Sequence, residues 1–410
     1  MSNVFILKNA IIFDGTNEEL LQGGSVVVEG ERIREVCTGT AKVSGATELD
    51  LGGRFLMPGL LDLHFHAYSA SFNLNQLDRM PKPLLVAHAT RILEGALQRG
   101  FTTVRDPGGG DVGLSLAIDQ GLIDGPRFLY GGKALSQTGG HGDFRRHDEE
   151  QPCACAYSGV ICQVVDGADQ VRKLCRDELR KGAHHIKLFI SGGVTSPTDP
   201  IWMPQFTDAE IRAAVEEAET RRKYVVVHCL SDDGAQRSVR NGVRSIDHGM
   251  DITDDTARMI AEAPASYVVP TLAVVREILD HGPTLGMHPE SLEKVKPIYA
   301  RALESIENCQ RAGVKLGMGT DIFGTDHHHL QSHEFVYRSE VSKPIDILRS
   351  ATSINAEIAQ LDGEVGCVAP DALADLVVLD GNPLDDLTIF QDPARMPVIL
   401  KGGEFKRNAL

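Results

Sequence analysis

The chain has 410 residues, more than one ordinary hydrophobic core usually holds, so it should form either a barrel-type domain with an accessory module or two to three smaller domains. Hydrophobic residues make up 42% and charged residues 24%, which is typical of a globular protein and excludes a disordered one. The formal net charge of −16 argues against nucleic acid or an anionic membrane surface as the main partner.

The N-terminal region predicts short β-strands separated by turns: Val4–Phe13, Gly24–Glu29, Arg32–Cys37 and Thr47–Leu51. The first residues show no basic region followed by a long apolar core, and no stretch of the chain approaches the length of a membrane span. We therefore expect a cytoplasmic protein without a membrane partner.

From Pro58 onward, apolar strands alternate with amphipathic helices, the pattern of a parallel sheet or barrel. Eight strands are predicted: Phe55–Leu63, Phe101–Arg105, Arg127–Gly131, His184–Ile190, Tyr224–Cys229, Arg244–Asp247, Ser266–Pro270 and Val314–Gly319. Eight is the number of strands in a closed (β/α)8 barrel.

Helices are predicted between these strands, and most are followed by glycine or a basic residue. They include Leu84–Arg99, Val171–Lys181, Asp208–Arg222, Asp233–Asn241, Ser291–Ala312 and, as the last barrel helix, Ile345–Leu361. The pattern then returns to β over residues 373–380 and 398–403, so the C-terminus should rejoin the N-terminal β module. We expect an α/β protein with a β-sandwich domain from residues 1–57 and 366–410 and a barrel from residues 58–365.

Polar residues stand at the C-terminal ends of five predicted barrel strands, where barrel enzymes place their chemistry. His64 and His66 lie two apart, so both side chains share one face of the strand, and neutral imidazole is a common ligand of divalent metals. A lone His-x-His pair is more often an ordinary polar strand end. Together with Lys187, His228, His248 and Asp321 at the other strand ends, however, the pair indicates a metal site.

In this order and on these strands, the six residues resemble the binuclear amidohydrolase superfamily. The resemblance covers nearly the whole chain and implies a (β/α)8 TIM barrel with a β-sandwich built from both termini. It implies two divalent ions, usually zinc, bridged by a lysine that carbon dioxide has carbamylated. By this resemblance, His64, His66 and Asp321 hold one ion, His228 and His248 hold the other, and the carbamate of Lys187 joins them.

The resemblance also implies a mechanism in which a hydroxide bridging the two ions attacks the scissile amide carbonyl. Asp321 would accept the hydroxide proton and deliver it to the departing amine. His141, in the glycine-rich loop Gly139-Gly140-His141-Gly142, would donate to the oxyanion. The two ions, one carboxylate, one carbamate and one hydroxide leave a formal charge of about +1, which suits a substrate with a free carboxylate.

Two loops and two later segments resemble the branch that contains Xaa-Pro dipeptidases, related carboxypeptidase-like enzymes and ochratoxin-type hydrolases of N-acyl amino acids. They span residues 136–145, 191–197, 331–335 and 374–384. We therefore expect a zinc hydrolase of Xaa-Pro-like dipeptides or N-acyl amino acids, which takes a small amide with a free carboxylate and forms a homo-oligomer. A cyclic-amide hydrolase, a deaminase and a non-catalytic barrel scaffold are the alternatives.

Several further residues have two interpretations each. Arg145, Arg146 and Arg237 could pair with a substrate carboxylate, although solvated surface arginines are more common. Trp202 could line an apolar substrate pocket or fix its own loop. The tract Asp326-His327-His328-His329 favours a loop at the pocket rim over a further metal site. An aromatic residue follows the strand-five histidine in many such relatives, whereas this chain has His228-Cys229-Leu230.

Eight cysteines in a chain of this length are too sparse for a disulfide scaffold, and we expect them to be mostly reduced. Cys153, Cys155 and Cys162 lack the paired spacing of a structural zinc motif, so they favour an ordinary loop.

Overall fold

The computed structural model describes residues 4–145, 161–196, 199–285, 287 and 289–410. Its strands are β1 Val4–Ile12, β2 Leu21–Glu29, β3 Arg32–Thr38, β4 Thr47–Asp50, β5 Phe55–Pro58, β6 Leu60–Asp62, β7 Phe101–Asp106, β8 Arg127–Tyr130, β9 Ala134–Ser136, β10 Cys162–Val164, β11 His185–Phe189, β12 Tyr224–Cys229, β13 Ser245–His248, β14 Tyr267–Val269, β15 Leu376–Leu379, β16 Val398–Lys401 and β17 Glu404–Asn408.

The helices are α1 Leu74–Arg79, α2 Lys82–Gln98, α3 Val112–Asp119, α4 Ala168–Arg180, α5 Asp208–Thr220, α6 Asp232–Arg240, α7 Asp254–Glu262, α8 Leu272–His281, α9 Pro289–Val295, α10 Ile298–Ala312, α11 His333–Arg338, α12 Pro344–Arg349 and α13 Asn355–Ile358. A π-turn over Ser350–Ile354 joins the last two, and short 3-10 turns cover Leu387–Gln391 and Pro393–Arg395. A further 3-10 turn, His328–Ser332, precedes α11. In the part of the chain that the structure describes, no helix is long and apolar enough to cross a membrane.

Both ends of the chain contribute to one eight-stranded sheet, in the order β17-β16-β15-β5-β1-β2-β3 with β4 paired to β1. One face packs into a separate hydrophobic core whose members come from both termini, among them Leu7, Val28, Leu376 and Leu400. The pairing of β15 with β5 is antiparallel and brings residues that are more than 300 positions apart into register. The predicted return of the C-terminus to the N-terminal strands is therefore confirmed.

The remaining strands form a three-stranded parallel sheet, β6-β7-β8, and a six-stranded parallel sheet, β10-β9-β11-β12-β13-β14. Hydrogen bonds link these sheets on both sides. The amide of His184 donates to the carbonyl oxygen of Tyr130, the last residue of β8. The amide of Leu63, which follows β6, donates to the carbonyl oxygen of Met318, which lies beyond β14 in the sequence. The C-terminal ends of β6, β11, β12 and β13 consequently lie close together at one end of the two parallel sheets.

Four predicted elements differ from the structure. The first predicted barrel strand, Phe55–Leu63, is two strands that separate at Gly59. At this residue the backbone changes partners: the amide of Gly59 donates to Asp375 O, and that of Leu60 donates to Gly100 O. A side chain at 59 would lie 2.2 Å from Thr102 Oγ1, so the close approach requires glycine.

The predicted strand Val314–Gly319 is an extended segment with one isolated bridge, Val268 to Leu316. Its ladder is interrupted because the amide of Met318 donates to the side chain of Asn355. The predicted helix Ser291–Ala312 is two helices, α9 and α10, because Pro297 has no amide hydrogen and ends the first.

The predicted last barrel helix, Ile345–Leu361, includes the π-turn Ser350–Ile354, which periodicity alone does not reveal.

Candidate metal centre

The six predicted ligands and His141 line one cavity at the ends of the parallel strands. His64 and His66 follow β6, Lys187 lies in β11, His228 in β12, His248 ends β13, and Asp321 follows the extended segment that carries Met318. All six are buried or half-buried. The fold therefore gathers residues that are up to 257 positions apart in the sequence.

His64, His66 and Asp321 are the tightest group, with one ligand atom from each within 4.8 Å of the others. Asp321 Oδ1 lies 3.5 Å from His64 Nε2 and 3.3 Å from His66 Nε2. Two imidazole nitrogens and a carboxylate oxygen at this spacing are a donor set that suits a divalent metal such as zinc. These three side chains could hold a metal ion.

His248 and His228 continue the cluster along the next strands. The ring centroids of His64 and His248 are 4.5 Å apart, and those of His248 and His228 are 4.6 Å apart. His248 Nδ1 pairs with Thr271 Oγ1 at 2.8 Å, and His228 Nε2 lies 3.4 Å from the carbonyl oxygen of Gly192. Burial, followed by neighbouring cationic groups, holds the pKa of both imidazoles well below the ordinary value. Neutral imidazoles are the form that binds a metal.

Lys187 lies among these groups with its side chain only 2% exposed and its Nζ without a hydrogen-bond partner among the described residues. Burial lowers the pKa of its amine to about 8, against the attraction of Asp247 and Asp321. A buried ammonium without a partner is costly. A buried amine without a hydrogen-bond partner is therefore a suitable group for conversion to a carbamate, which would make the side chain an anionic metal ligand.

A second layer of carboxylates orients the histidines. Asp247 Oδ2 lies 2.6 Å from His64 Nδ1 and is itself held by Arg105 and by Ser245. His66 Nδ1 faces the carbonyl oxygen of Gly108 at 3.0 Å and Asp106 at 3.8 Å. Such partners fix the tautomer and the ring plane of a metal-binding histidine.

His66 differs from the other imidazoles because two carboxylates face it. Burial opposes its charge, but contacts with Asp106 and Asp321 outweigh that effect and raise the pKa of His66 to about 10. His64 has a pKa well below its ordinary value, because burial and the positive charge of Lys187 act in the same direction. The carboxylates beside His66 supply the negative charge that a bound cation would require.

Asp106, Asp247 and Thr271 were not predicted from the sequence. Asp247 could have been found, because it directly precedes a predicted ligand on a strand end. Asp106 ends β7 in the same way, and its carboxylate accepts from the amides of Ala67 and Gly108.

His141 stacks on His228 at a centroid distance of 4.4 Å, so the glycine-rich loop places it beside the predicted ligands. Its Nδ1 lies 3.1 Å from Asp199 Oδ2, and its Nε2 lies 3.3 Å from Thr195 Oγ1. The ring is thus held at one nitrogen by a carboxylate, while the other is paired only with a hydroxyl that also lines the cavity. Asp199 is fully buried and carries no signal in the sequence that would have marked it.

The remaining wall of the cavity is apolar. It includes Phe72, Phe144, Leu230, Met250, Val275, Ile278 and Phe323. Leu230, two residues after His228, gives this part of the cavity wall an aliphatic surface. The site thus combines a polar floor of histidines and carboxylates with walls that exclude water.

Two of the three arginines considered for a substrate carboxylate, Arg145 and Arg237, pair with other groups. Arg145 forks onto the carboxylate of Asp143, and Arg237 is bound by Asp208 and by the carbonyl oxygens of Gln205 and Phe206. Arg146 lies outside the described residues, as do Cys153 and Cys155. Among the described residues, no arginine lines the cavity.

Trp202 is 73% exposed and does not contribute to the cavity wall. His327 and His328 pair with Glu277 and Ser69 respectively, and His329 folds back on the carbonyl oxygen of Asp326. The tract runs into the 3-10 turn His328–Ser332, and none of its four residues is part of the cavity lining. The six cysteines within the described ranges, Cys37, Cys162, Cys175, Cys229, Cys309 and Cys367, form no disulfide with one another.

The sequence and the structure of the chain are similar to those of known proteins. Residues 55–404 match the model of the amidohydrolase family. An ochratoxinase from Aspergillus niger is 29% identical over 369 residues, which covers 85% of this chain and 75% of that protein. Among solved structures, a prolidase in complex with N-methylphosphonate-L-proline is 43% identical, with a TM-score of 0.95 over 99% of this chain and 100% of that one.

A Xaa-Pro dipeptidase with bound methionine is 25% identical and has a TM-score of 0.88, covering 99% of this chain and 100% of that one. The dipeptidase and ochratoxinase branch that the sequence motifs resemble is thus confirmed, and the chain is a hydrolase of carbon–nitrogen bonds. With a mixed α/β fold that TIM-barrel relatives share and a His-His-Asp cluster at its strand ends, the chain belongs to the amidohydrolase family.

Proposed function

We propose that this protein is a binuclear zinc hydrolase that cleaves the amide bond of Xaa-Pro-like dipeptides or N-acyl amino acids with a free carboxylate. The observation that carries the proposal is the buried Lys187 amine, which has no hydrogen-bond partner among described residues and lies in a cavity with the four predicted histidine ligands and Asp321. A site for one ion would not need this lysine. The prolidase, dipeptidase and ochratoxinase relatives support the choice of substrate class.

His64, His66 and Asp321 would hold the first ion, and His228 and His248 would hold the second. Lys187, carbamylated by carbon dioxide, would be shared between them. When bound, the two ions lower the pKa of water at the site and polarise the carbonyl of the scissile amide. His64 and His248 are prepared for ligation by Asp247 and Thr271, which occupy the Nδ1 atoms of their rings.

The residues of the chain divide the proton chemistry between them. Asp321, whose Oδ1 lies beside both His64 and His66, would accept a proton from the attacking water and return it to the nitrogen of the departing amine. His141 would donate from Nε2 to the carbonyl oxygen as negative charge develops on it. The apolar wall would keep bulk water away from these charges and strengthen each interaction.

A screen of substrates tests the proposal. Protein loaded with zinc in the presence of bicarbonate is incubated with Xaa-Pro dipeptides, other dipeptides and N-acyl amino acids, and amine release is measured. Cyclic amides and aminopurines serve as the comparison set. We expect turnover of the linear amides only, and two zinc ions per chain by elemental analysis. Turnover confined to the comparison set, or one ion per chain at saturation, would contradict the proposal.

We also propose that the sheets β6-β7-β8 and β9–β14, with the segment 314–319, form one closed (β/α)8 barrel over residues 58–365. The backbone hydrogen bonds from His184 to Tyr130 and from Leu63 to Met318 support closure at both gaps. Residues 1–57 and 366–410 would form the β-sandwich domain. Limited proteolysis tests the division, since we expect the first cleavage sites to fall between the two units or in surface loops.

A further inference from the structure

A buried network surrounds the one cavity histidine that is not a proposed metal ligand. Oδ2 of Asp199 lies 3.1 Å from His141 Nδ1 and accepts hydrogen bonds from the amide of Gly193 and from Gln205 Nε2, each at 3.1 Å. Gln205 also accepts from the amide of His141 at 2.9 Å. Both the ring and the backbone of His141 are therefore tied to one carboxylate and its amide neighbour.

The loop that carries Asp199 is held in turn by a lysine. Lys294, on α9, donates from Nζ to three carbonyl oxygens of this loop: Gly193 at 3.1 Å, Ser196 at 2.7 Å and Asp199 at 2.9 Å. Three carbonyl acceptors satisfy all the donors of an ammonium group. Lys294 and Asp199 are 95 residues apart in the sequence, so this contact ties the loop to a distant part of the fold.

Close packing removes the remaining freedom of the ring. A side chain at position 193 would lie 2.1 Å from His141 Cε1, so Gly193 allows the loop to pass directly against the imidazole. The ring also stacks on His228 with an interplanar angle of 20°. Packing against Gly193 and His228 thus restricts the ring, and the contact of Asp199 with Nδ1 determines which nitrogen is left free of the carboxylate.

We propose that Asp199 is a positioning residue that orients His141 for the reaction, and that Lys294 supports it by holding the loop. Asp199 contacts His141 through Nδ1, so that Nε2 is the nitrogen left to face the substrate. The inference rests on the proposed role of His141 in amide hydrolysis. It assigns two residues, Asp199 and Lys294, that no sequence motif marked.

A double-mutant cycle separates positioning from a general structural role. The variants are Asp199→Asn, His141→Ala and the pair, each zinc-loaded and assayed with the best substrate of the screen. We expect Asp199→Asn to lower kcat about 10- to 100-fold with KM within about threefold, because one preorganised donor is misaligned. In the His141→Ala background, the same substitution should change kcat less than about threefold.

Asp166→Asn is the control for loosening of the His141 loop. The carboxylate of Asp166 holds the same loop by accepting hydrogen bonds from the amide of Thr138 at 3.0 Å and from the hydroxyl of Thr138 at 2.6 Å. It has no contact with the imidazole of His141. This variant should keep kcat within about threefold. Equal losses from Asp199→Asn in both backgrounds would overturn the positioning role, whereas full activity of His141→Ala would overturn the role of His141 itself.

A measurement without turnover tests the pairing directly. In ¹⁵N-histidine spectra of the zinc-loaded protein, the His141 signals are assigned by their loss in His141→Gln. We expect a proton on Nδ1 in the wild type and altered Nδ1 and Nε2 shifts in Asp199→Asn. Identical shifts in the two proteins would overturn the inference even if the enzyme hydrolyses the proposed substrates.

Lys294 has a matched control on the same segment. Lys296 is exposed and pairs only with the carboxylate of Glu293 in the described structure. We expect Lys294→Ala to lower kcat about tenfold and to leave zinc content at two ions per chain, while Lys296→Ala remains like the wild type. Equal activity of the two variants would overturn the supporting role of Lys294.

Discussion

Carbamylation of Lys187 should depend on both pH and carbon dioxide, because only the neutral amine attacks carbon dioxide. Burial lowers the pKa of Lys187 from 10.5 to about 8. At pH 7.5 the neutral fraction therefore rises from about 0.1% to about a quarter, an increase of roughly two hundredfold. The neutral fraction grows as pH rises and levels off above the folded-state pKa, so the rate of carbamylation should do the same.

The assay starts from metal-free protein that has been held at low pH under nitrogen, which removes carbamate. Zinc is then added between pH 6.5 and 9 at one fixed concentration of dissolved carbon dioxide, and recovery of amidase activity is followed with time. We expect the recovery rate to rise with pH, with a midpoint near pH 8, and to increase in proportion to carbon dioxide. Fixing dissolved carbon dioxide matters because, at constant total bicarbonate, its concentration falls as pH rises.

Lys187→Ala is the matched variant. It removes the amine from a site that is closed to solvent and leaves the five other proposed ligands in place. We expect it to bind less than two zinc ions per chain and to recover no activity at any pH. Recovery of the wild type without carbon dioxide, or a rate that falls as pH rises, would refute the reasoning.

Three further changes test the layers around the centre. Asp247→Asn should weaken zinc affinity about 10- to 100-fold in a chelator titration, because its histidine partner loses a fixed orientation; unchanged affinity would contradict this. Gly193→Ala should lower kcat at least tenfold without loss of zinc, since its methyl group would strike His141. Ile278→Ala should favour bulkier apolar substrates by about tenfold in kcat/KM, whereas Leu279→Ala, on the same helix but outside the cavity lining, should not.

Much of the fold could be predicted because its signals are local. Strands β7, β8 and β12 and helices α2, α4, α5 and α6 lie within a few residues of their predicted bounds. Two of the misses are caused by a contact between distant parts of the chain, whereas Pro297 divides the predicted helix Ser291–Ala312 locally. Gly59 divides a strand because Thr102 lies against it, and Asn355 interrupts the ladder at Met318.

The site shows the same division. Five of the proposed ligands could be found because they lie at or just beyond the end of an apolar segment, a position that periodicity indicates, whereas Lys187 lies within β11. Asp199 could not be found in this way, since it lies in a loop without regular period. Its importance appears only when the loop folds against His141 and Lys294 reaches it from α9.

Backbone conformation explains why the polar residues of the site stand at strand ends. His248 and Asp321 adopt left-handed backbones, with φ of 71° and 56°. This region costs a non-glycine residue about 1–3 kcal/mol, although histidine and aspartate tolerate it better than branched residues. Neighbouring residues of a regular strand face opposite sides of the sheet. Asp247 and His248 are neighbours, yet both side chains are directed toward the site, since Asp247 contacts the cavity residue His64 and His248 lines the cavity itself. A turn at His248 resolves this conflict, and such a turn is possible only where the strand ends. The strained backbone therefore lets one short strand supply both a proposed ligand and the carboxylate that orients another.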